Sequence, residues 1–188
     1  MIIYVHGFNS SPASHKASML RKRLAAIGRD SEFVCPALSY SPQRALARLA
    51  EELAKAEPES VTLVGSSLGG FYSTWLTEHV GCRTVLVNPA ITPHEGLRAY
   101  LGNQRNLYTD EEYEFTQSHL AQLKDIYIPR PVRMDRYFLI HTTGDELLDW
   151  RVAVKRYGGC RQMVVDGSDH GFAEFGDYID CVLEFAAN

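Results

Sequence analysis

Residues 63–72 read LVGSSLGGFY, an apolar run that ends in small residues and is followed at once by a helical pattern. This order predicts a strand, a sharp turn and a helix. A serine nucleophile on such a turn needs small residues two positions before and two after it, because the strained backbone crowds its neighbours. Gly65 and Gly69 meet that requirement for Ser67, whereas the positions flanking Ser66 carry larger side chains. The pattern therefore predicts Ser67 as the nucleophile and assigns no role to Ser66.

The rest of the 188-residue chain alternates apolar runs with helical patterns, which predicts a single α/β domain over residues 1–188. Each run has about four residues without polar alternation, as in a parallel strand buried on both faces. We expect about six mostly parallel strands with helices on both faces. The predicted strands are 2–5, 61–64, 84–87, 137–140 and 162–165, with a weaker one at 32–35. The predicted helices run over 11–28, with Ser11 as N-cap and Pro12 following, from Ser41-Pro42 towards Pro58, over 69–80 and over 173–186.

One interval, residues 91–136, interrupts the alternation because it contains no strand-like run. Helical patterns lie near residues 96–101 and from Thr109 onward, where Thr109 and Glu112 have the spacing of a capping box. We therefore expect a helical cap inserted into the domain. Several aromatic residues in this cap could line a pocket, although aromatic residues at helical spacing are more typical of a core.

The bulk composition argues against several classes of partner. Hydrophobic residues make up 45% of the chain, charged residues 22%, and the formal net charge is −4, so nothing favours nucleic acid or anionic lipid. Neither a signal peptide nor an apolar run long enough to span a membrane is present in the sequence, which indicates a cytoplasmic protein. The four cysteines lack paired C-x-x-C spacing, which argues against a zinc site and favours reduced thiols.

A serine hydroxyl is a weak nucleophile, so it needs a base, and the base needs an acid to orient it. In hydrolases with this type of turn, the acid precedes the histidine in the chain and each follows a strand. Asp145 follows the predicted strand 137–140, and His170 follows the predicted strand 162–165. The carboxyl ends of parallel strands share one edge of the sheet. The sequence therefore predicts a catalytic triad of Ser67, Asp145 and His170.

Other acidic residues compete with Asp145. Asp149 lies slightly further along the same loop, and Asp166 and Asp169 lie near His170 in sequence. The last two are too close to His170 to come from a separate loop. Asn88, which follows the strand at 84–87, cannot supply a charge.

Two backbone N–H groups are expected to stabilise the oxyanion, where one donor is worth about 100-fold to 1,000-fold in rate. The N–H of Leu68, the residue after the nucleophile, is one candidate. The turn after the first strand, with its sequence His-Gly-Phe, predicts the N–H of Phe8 as the other. We interpret His6 as a structural residue that fixes this turn, rather than as a second base.

With these pieces in order, the chain resembles an α/β-hydrolase, and more specifically the small YqiA-type bacterial esterases. The resemblance runs nearly end to end through HGFNSSP at 6–12, VGSSLGG at 64–70, NPA at 88–90, TGDELLD at 143–149 and the late histidine loop. It implies a serine esterase that acts on small carboxylic esters and uses no metal or organic cofactor. Two alternatives remain open: an acyl thioesterase with the same triad, and a non-catalytic binding protein on a hydrolase scaffold.

Overall fold

A computed structural model describes residues 1–187, in which six parallel strands form one sheet and two further strands form a separate hairpin. The strands are β1 (Ile2–Val5), β2 (Phe33–Val34), β3 (Thr62–Ser66), β4 (Arg83–Val87), β5 (Gly102–Arg105), β6 (Glu112–Phe115), β7 (Tyr137–Thr142) and β8 (Arg161–Val165). The sheet order is β2-β1-β3-β4-β7-β8, and every pair in it is parallel. The predicted fold class is confirmed, including the short sixth strand.

Helices cover both faces of the sheet because successive strand residues point to opposite sides. Ile3 and Leu63 face one side, where they pack with α2, α3 and α5. Ile2 and Val64 face the other side and pack with α1 and α7. The α-helices are α1 (His15–Ala26), α2 (Pro42–Leu53), α3 (Leu68–Val80), α4 (Pro93–Gly96), α5 (Gln117–Asp125), α6 (Trp150–Arg156) and α7 (Ile179–Ala187). None of those within residues 1–187 is both long and apolar enough to cross a bilayer.

The predicted first residues of α2 and α3 agree with the structure to within one residue. The predicted start of α1 was wrong. Ser41 and Pro42 begin α2 as predicted. Ser11 does not cap α1: its hydroxyl accepts the N–H of Ala13 and its carbonyl the N–H of Ser14, which closes a separate turn before the helix. Local hydrogen bonding by a serine side chain competes with helix formation in this way.

The inserted interval contains an antiparallel hairpin, so the prediction of an interval without strands was wrong. Strands β5 and β6 pair over four residues each. Thr109 does not begin a helix, because it lies in the hairpin turn, where the Asn106 side chain accepts its N–H. The capping box of the interval is instead formed by Thr116 and His119, at the start of α5. The cap is therefore a hairpin flanked by helices.

Candidate active site

Ser67 occupies the turn between β3 and α3 in a strained backbone conformation, with φ 55° and ψ −121°. A positive φ is uncommon for a residue with a side chain and is maintained only by surrounding structure. The glycines on either side are sterically required. A Cβ atom at Gly65 would lie 2.5 Å from Ser73 Oγ, and one at Gly69 would lie 1.8 Å from the carbonyl oxygen of Val5. The turn therefore places Ser67 at the N-terminus of α3, where the helix dipole is positive.

Ser66 is the last residue of β3 and is buried. Burial raises the pKa of the Tyr4 phenol, and the side chain of Ser66 beside it partly opposes the rise. Ser66 thus contacts the core behind the turn.

Asp145 and His170 come together at the same edge of the sheet. The distance between His170 Nδ1 and Asp145 Oδ2 is 2.8 Å, and the side chains are 19% and 0% exposed. Burial alone would raise the pKa of Asp145, but the hydrogen bond from His170 and the N–H groups of Leu148 and Leu147 outweigh it and hold the pKa below its ordinary value. An ionised carboxylate only accepts hydrogen bonds, so the neutral imidazole carries its hydrogen on Nδ1 and leaves Nε2 free to accept a proton.

The rival acids have other partners. Asp149 caps α6 by accepting the N–H of Arg151 at 3.0 Å. Asp166 accepts the hydroxyl of Thr143. Asp169 accepts the N–H of Phe172 within its own loop. The structure therefore pairs Asp145, and none of these three, with the His170 ring.

The segment after β4 connects the Ser67 turn to the His170 loop. The N–H of Ser67 donates to the carbonyl of Val87 at 3.1 Å, and the N–H of Ala90 donates to the carbonyl of Ser67 at 3.0 Å. The side chain of Asn88, which is fully buried with φ 43°, donates to the carbonyl of His170 at 3.4 Å. Both loops thus rest on one short segment. Asn88 cannot supply a charge, and its side-chain amide instead bridges Thr142 and the His170 loop.

Lys16 is a residue near the site that sequence reasoning missed. Its Nζ donates to the carbonyls of His170 at 3.2 Å and Gly171 at 2.7 Å. Burial lowers the pKa of Lys16 to about 8, although the nearby carboxylates of Asp145 and Asp169 oppose that shift. No motif marks this lysine, since its contacts join residues more than 150 positions apart.

The loop after β1 lies against the Ser67 turn. A Cβ atom at Gly7 would lie 3.2 Å from the Cβ of Ser67. His6 is buried, and its Nε2 accepts the N–H of Leu38 at 3.2 Å. Burial lowers the pKa of His6, which favours the neutral ring that this bond requires. His6 therefore ties the loop to the segment after β2.

The amides of Phe8 and Leu68 share a property that an oxyanion hole requires. Within residues 1–187, neither backbone N–H donates a hydrogen bond to another group. Leu68 is the first residue of α3, and the first N–H groups of a helix have no partner inside it. Two free donors are thus available on the two loops that meet at Ser67.

A small cavity, partly open to solvent, lies between the loop after β1 and the hairpin. The aromatic side chains on its walls include Phe8, Tyr40, Tyr72 and Tyr113, and Leu68 also contributes. Tyr113 comes from the inserted interval 91–136, whereas Phe115 of the same interval belongs to the core. Within residues 1–187, no three His, Cys, Asp or Glu side chains are grouped so that they could hold a metal ion.

Comparison with known proteins places the chain in a family. The family model described as "Uncharacterised protein family (UPF0227)" matches residues 1–187. The chain belongs to the UPF0227 family. A UPF0227 protein of Serratia proteamaculans (strain 568) is 25% identical over 194 residues, which cover 98% of each chain. The family resemblance predicted from the sequence is confirmed at the level of this family, and the predicted likeness to an α/β-hydrolase is confirmed as a likeness of fold.

Solved structures share the fold of this UPF0227 chain. A candidate hydrolase from Agrobacterium vitis S4 has a TM-score of 0.75 and 18% identity, with 100% of this chain and 87% of that chain covered. A structure from the metagenome-derived lipolytic enzymes LipS and LipT has a TM-score of 0.67 and 14% identity, with 99% and 92% covered. At these identities the likeness shows the fold of the UPF0227 chain and nothing further.

Proposed function

We propose that this UPF0227 protein is a serine hydrolase that cleaves small carboxylic esters through an acyl-enzyme intermediate. The observation that carries the proposal is the pairing of His170 with the buried carboxylate of Asp145, at the sheet edge that also bears the strained Ser67 turn. A structural histidine has no need of a buried carboxylate as a partner, whereas a catalytic base needs one to fix its tautomer. The likeness to LipS and LipT, which are described as lipolytic enzymes, supports an ester as substrate.

The proposed reaction begins when Ser67 Oγ attacks the ester carbonyl carbon and His170 Nε2 takes the hydroxyl proton. Asp145 holds the ring and stabilises the imidazolium that forms. The N–H groups of Phe8 and Leu68 bind the negative oxygen of the tetrahedral intermediate. That intermediate collapses as the C–O bond to the alcohol breaks, and His170 gives the alcohol its proton. Water then attacks the acyl-enzyme by the same steps, which releases the acid and restores Ser67.

The position of the cavity supports a small-molecule substrate. Phe8 and Leu68 contribute to its walls, so a group bound there would lie beside both proposed oxyanion donors. Its lining is mixed, with aromatic rings such as Tyr40 and Tyr72 beside polar groups such as Asn106 and Glu111, and convergent polar groups of this kind orient a bound ligand.

The test is turnover of an activated ester, p-nitrophenyl acetate, by three forms of the protein. Ser67→Ala should abolish turnover above the uncatalysed rate, because no other group replaces the nucleophile. Ser66→Ala is the matched control and should keep most of the activity once folding is verified. Full activity in Ser67→Ala would refute the proposal, and loss in Ser66→Ala alone would move the nucleophile by one residue. A panel of oxygen esters and thioesters matched in chain length then defines the bond that is cleaved.

A further inference from the structure

The hairpin β5–β6 is hydrogen-bonded to Asn9 in the loop after β1. The Tyr113 hydroxyl donates to Asn9 Oδ1 at 2.6 Å, and Asn9 Nδ2 donates to Gln104 Oε1 at 3.2 Å. The N–H of Leu107, in the hairpin turn, donates to the carbonyl of Asn9 at 3.4 Å. Both strands and the turn of the hairpin therefore bond one residue, which directly follows Phe8.

The inserted interval also contacts both neighbours of Asn9 in the chain, Phe8 and Ser10. Asn106 Nδ2 donates to the carbonyl of Ser10 at 3.0 Å. The ring of Phe8 packs edge-on against Phe115, which ends β6, at 5.3 Å between centroids, and against Tyr100 at 5.5 Å. Three consecutive residues of the loop are thus held from the inserted interval.

The backbone of Asn9 requires such support, because its φ is 50°. Asparagine tolerates this left-handed region better than most residues, but the conformation still costs free energy and needs surrounding contacts to persist. Gly7, on the other side of Phe8, has no side chain to restrict the chain there. The orientation of the Phe8 amide therefore depends on what fixes Asn9.

We propose that Asn9 and Tyr113 are positioning residues that hold the Phe8 N–H towards the oxyanion, so that the hairpin acts as a clamp on one half of the oxyanion hole. The inference rests on the proposed function and extends it to the inserted interval. The clamp acts through Phe8, and neither residue is assigned a contact with the reacting atoms.

Tyr113 is itself held firmly enough to serve as the fixed side of the clamp. Its ring stacks on Tyr40, with 4.3 Å between centroids and 10° between planes. Burial raises the pKa of Tyr113 to about 12, and Glu111 and Tyr40 add to the rise. The hydroxyl therefore remains a protonated donor over the working range of a hydrolase assay.

The decisive variant is Tyr113→Phe, which removes one hydroxyl and keeps the ring. The net contribution of one neutral hydrogen bond is small, so we expect kcat to fall about two- to 12-fold with KM changed by less than about twofold. The inhibition constant of a trifluoromethyl ketone should rise by a similar factor, because its serine adduct carries an oxyanion. The matched control is Tyr108→Phe on the same hairpin. Tyr108 is 49% exposed, and its hydroxyl forms no hydrogen bond within the part of the chain described.

A second variant separates the clamp from simple loss of stability. Asn9→Gly tolerates the positive φ but removes the bonds of the side chain to both Tyr113 and Gln104, so it should lower kcat by at least the same factor. Combined with Tyr113→Phe, it should cause little further loss, because both changes remove the same hydrogen bond. The melting temperature of each variant is measured as well. A purely structural role would lower the melting temperature and leave kcat of the folded protein unchanged.

Several outcomes overturn the inference. Unchanged kcat in Tyr113→Phe would do so, as would a rise in KM alone, since Tyr113 also lines the cavity. Equal losses in Tyr108→Phe and Tyr113→Phe would show a general effect on the hairpin. In each case Ser67-dependent activity of the wild-type protein would leave the proposed function standing. A wild-type protein without such activity would refute the proposed function, and the inference with it.

Discussion

Gly69→Ala tests the steric basis of the Ser67 turn. The added Cβ would lie 1.8 Å from the carbonyl oxygen of Val5 and 2.8 Å from that of His6. Both obstacles are backbone atoms, so no side-chain rotation relieves the contact. Cβ atoms in proteins essentially never lie closer than 3.0 Å to such an atom. To lengthen the 1.8 Å contact to that distance, β1 and α3 would have to move apart by about 1.2 Å. Overpacking of a well-packed core costs about 1–3 kcal/mol, and more where the backbone must shift, so we expect a loss of about 3 kcal/mol.

For a chain of this length, that loss corresponds to a melting temperature lower by about 6–12 °C. The same movement would separate the loop that carries Phe8 from the helix that begins at Leu68, so esterase activity should fall further than stability alone explains. The assays are thermal denaturation by circular dichroism and initial rates with p-nitrophenyl acetate well below the melting temperature. The matched control is Gly96→Ala, at a position where a Cβ meets nothing within 4 Å. A variant at Gly69 as stable and active as this control would refute the steric argument.

Two further predictions concern the acid and the buried thiols. Asp145→Asn should lower kcat about 10,000-fold by changing the histidine tautomer. Asp149→Asn should keep the activity, because asparagine caps a helix equally well. If ester hydrolysis is lost in Asp149→Asn and kept in Asp145→Asn, Asp149 is the acid. Burial raises the pKa of Cys35 to about 12 and that of Cys82 to about 11, from an ordinary value of 9.0, so the unfolded chain loses these protons first and the thiols should contribute a fall in the free energy of unfolding as pH rises from about 9 towards 11. Lys16, whose pKa burial lowers to about 8, acts in the opposite sense in both proteins that are compared. Urea denaturation at pH 7.5, 9 and 10.5 measures this fall, and a Cys35→Ala/Cys82→Ala variant with an equally steep fall would contradict its assignment to the thiols.

The six strands of the sheet were predictable because burial on both faces leaves a strong local signal. Each apolar run between 2–5 and 162–165 corresponds to a strand, with changes of at most two residues at either end. Proline and glycine signals also placed the beginning of α2 and the end of α3 correctly. These features depend on residues adjacent in sequence, so a single sequence contains them.

The hairpin was not predictable in the same way. Its first strand reads Gly-Asn-Gln-Arg over 102–105 and is partly exposed, so it has neither the apolar run nor the alternation by which strands are recognised. Its stability depends on contacts with distant residues, such as the bond between Asn9 and Tyr113. The capping-box spacing at Thr109 suggested a helix that the turn of the hairpin overrode.

The residues of the candidate site also differ in whether a local sequence pattern reveals them. Ser67, Asp145 and His170 could be named because a nucleophile turn and the loops after strands have fixed places in an α/β sheet. The contacts of Lys16 and Asn88 could not, since each reaches the backbone of the His170 loop from a distant part of the chain. Lys16 belongs to no motif, and the NPA stretch that begins at Asn88 does not reveal which residue Asn88 contacts. Roles that depend on tertiary hydrogen bonds to carbonyl groups leave no pattern in a single sequence.

The most direct test of the central claim is the identity of the serine that forms a covalent adduct. A fluorophosphonate reacts with an activated serine, and peptide mass spectrometry locates the modified residue. We predict one adduct per chain, at Ser67, which is lost when the protein is denatured before labelling. Labelling of the folded protein at another serine, or at none, would contradict the account.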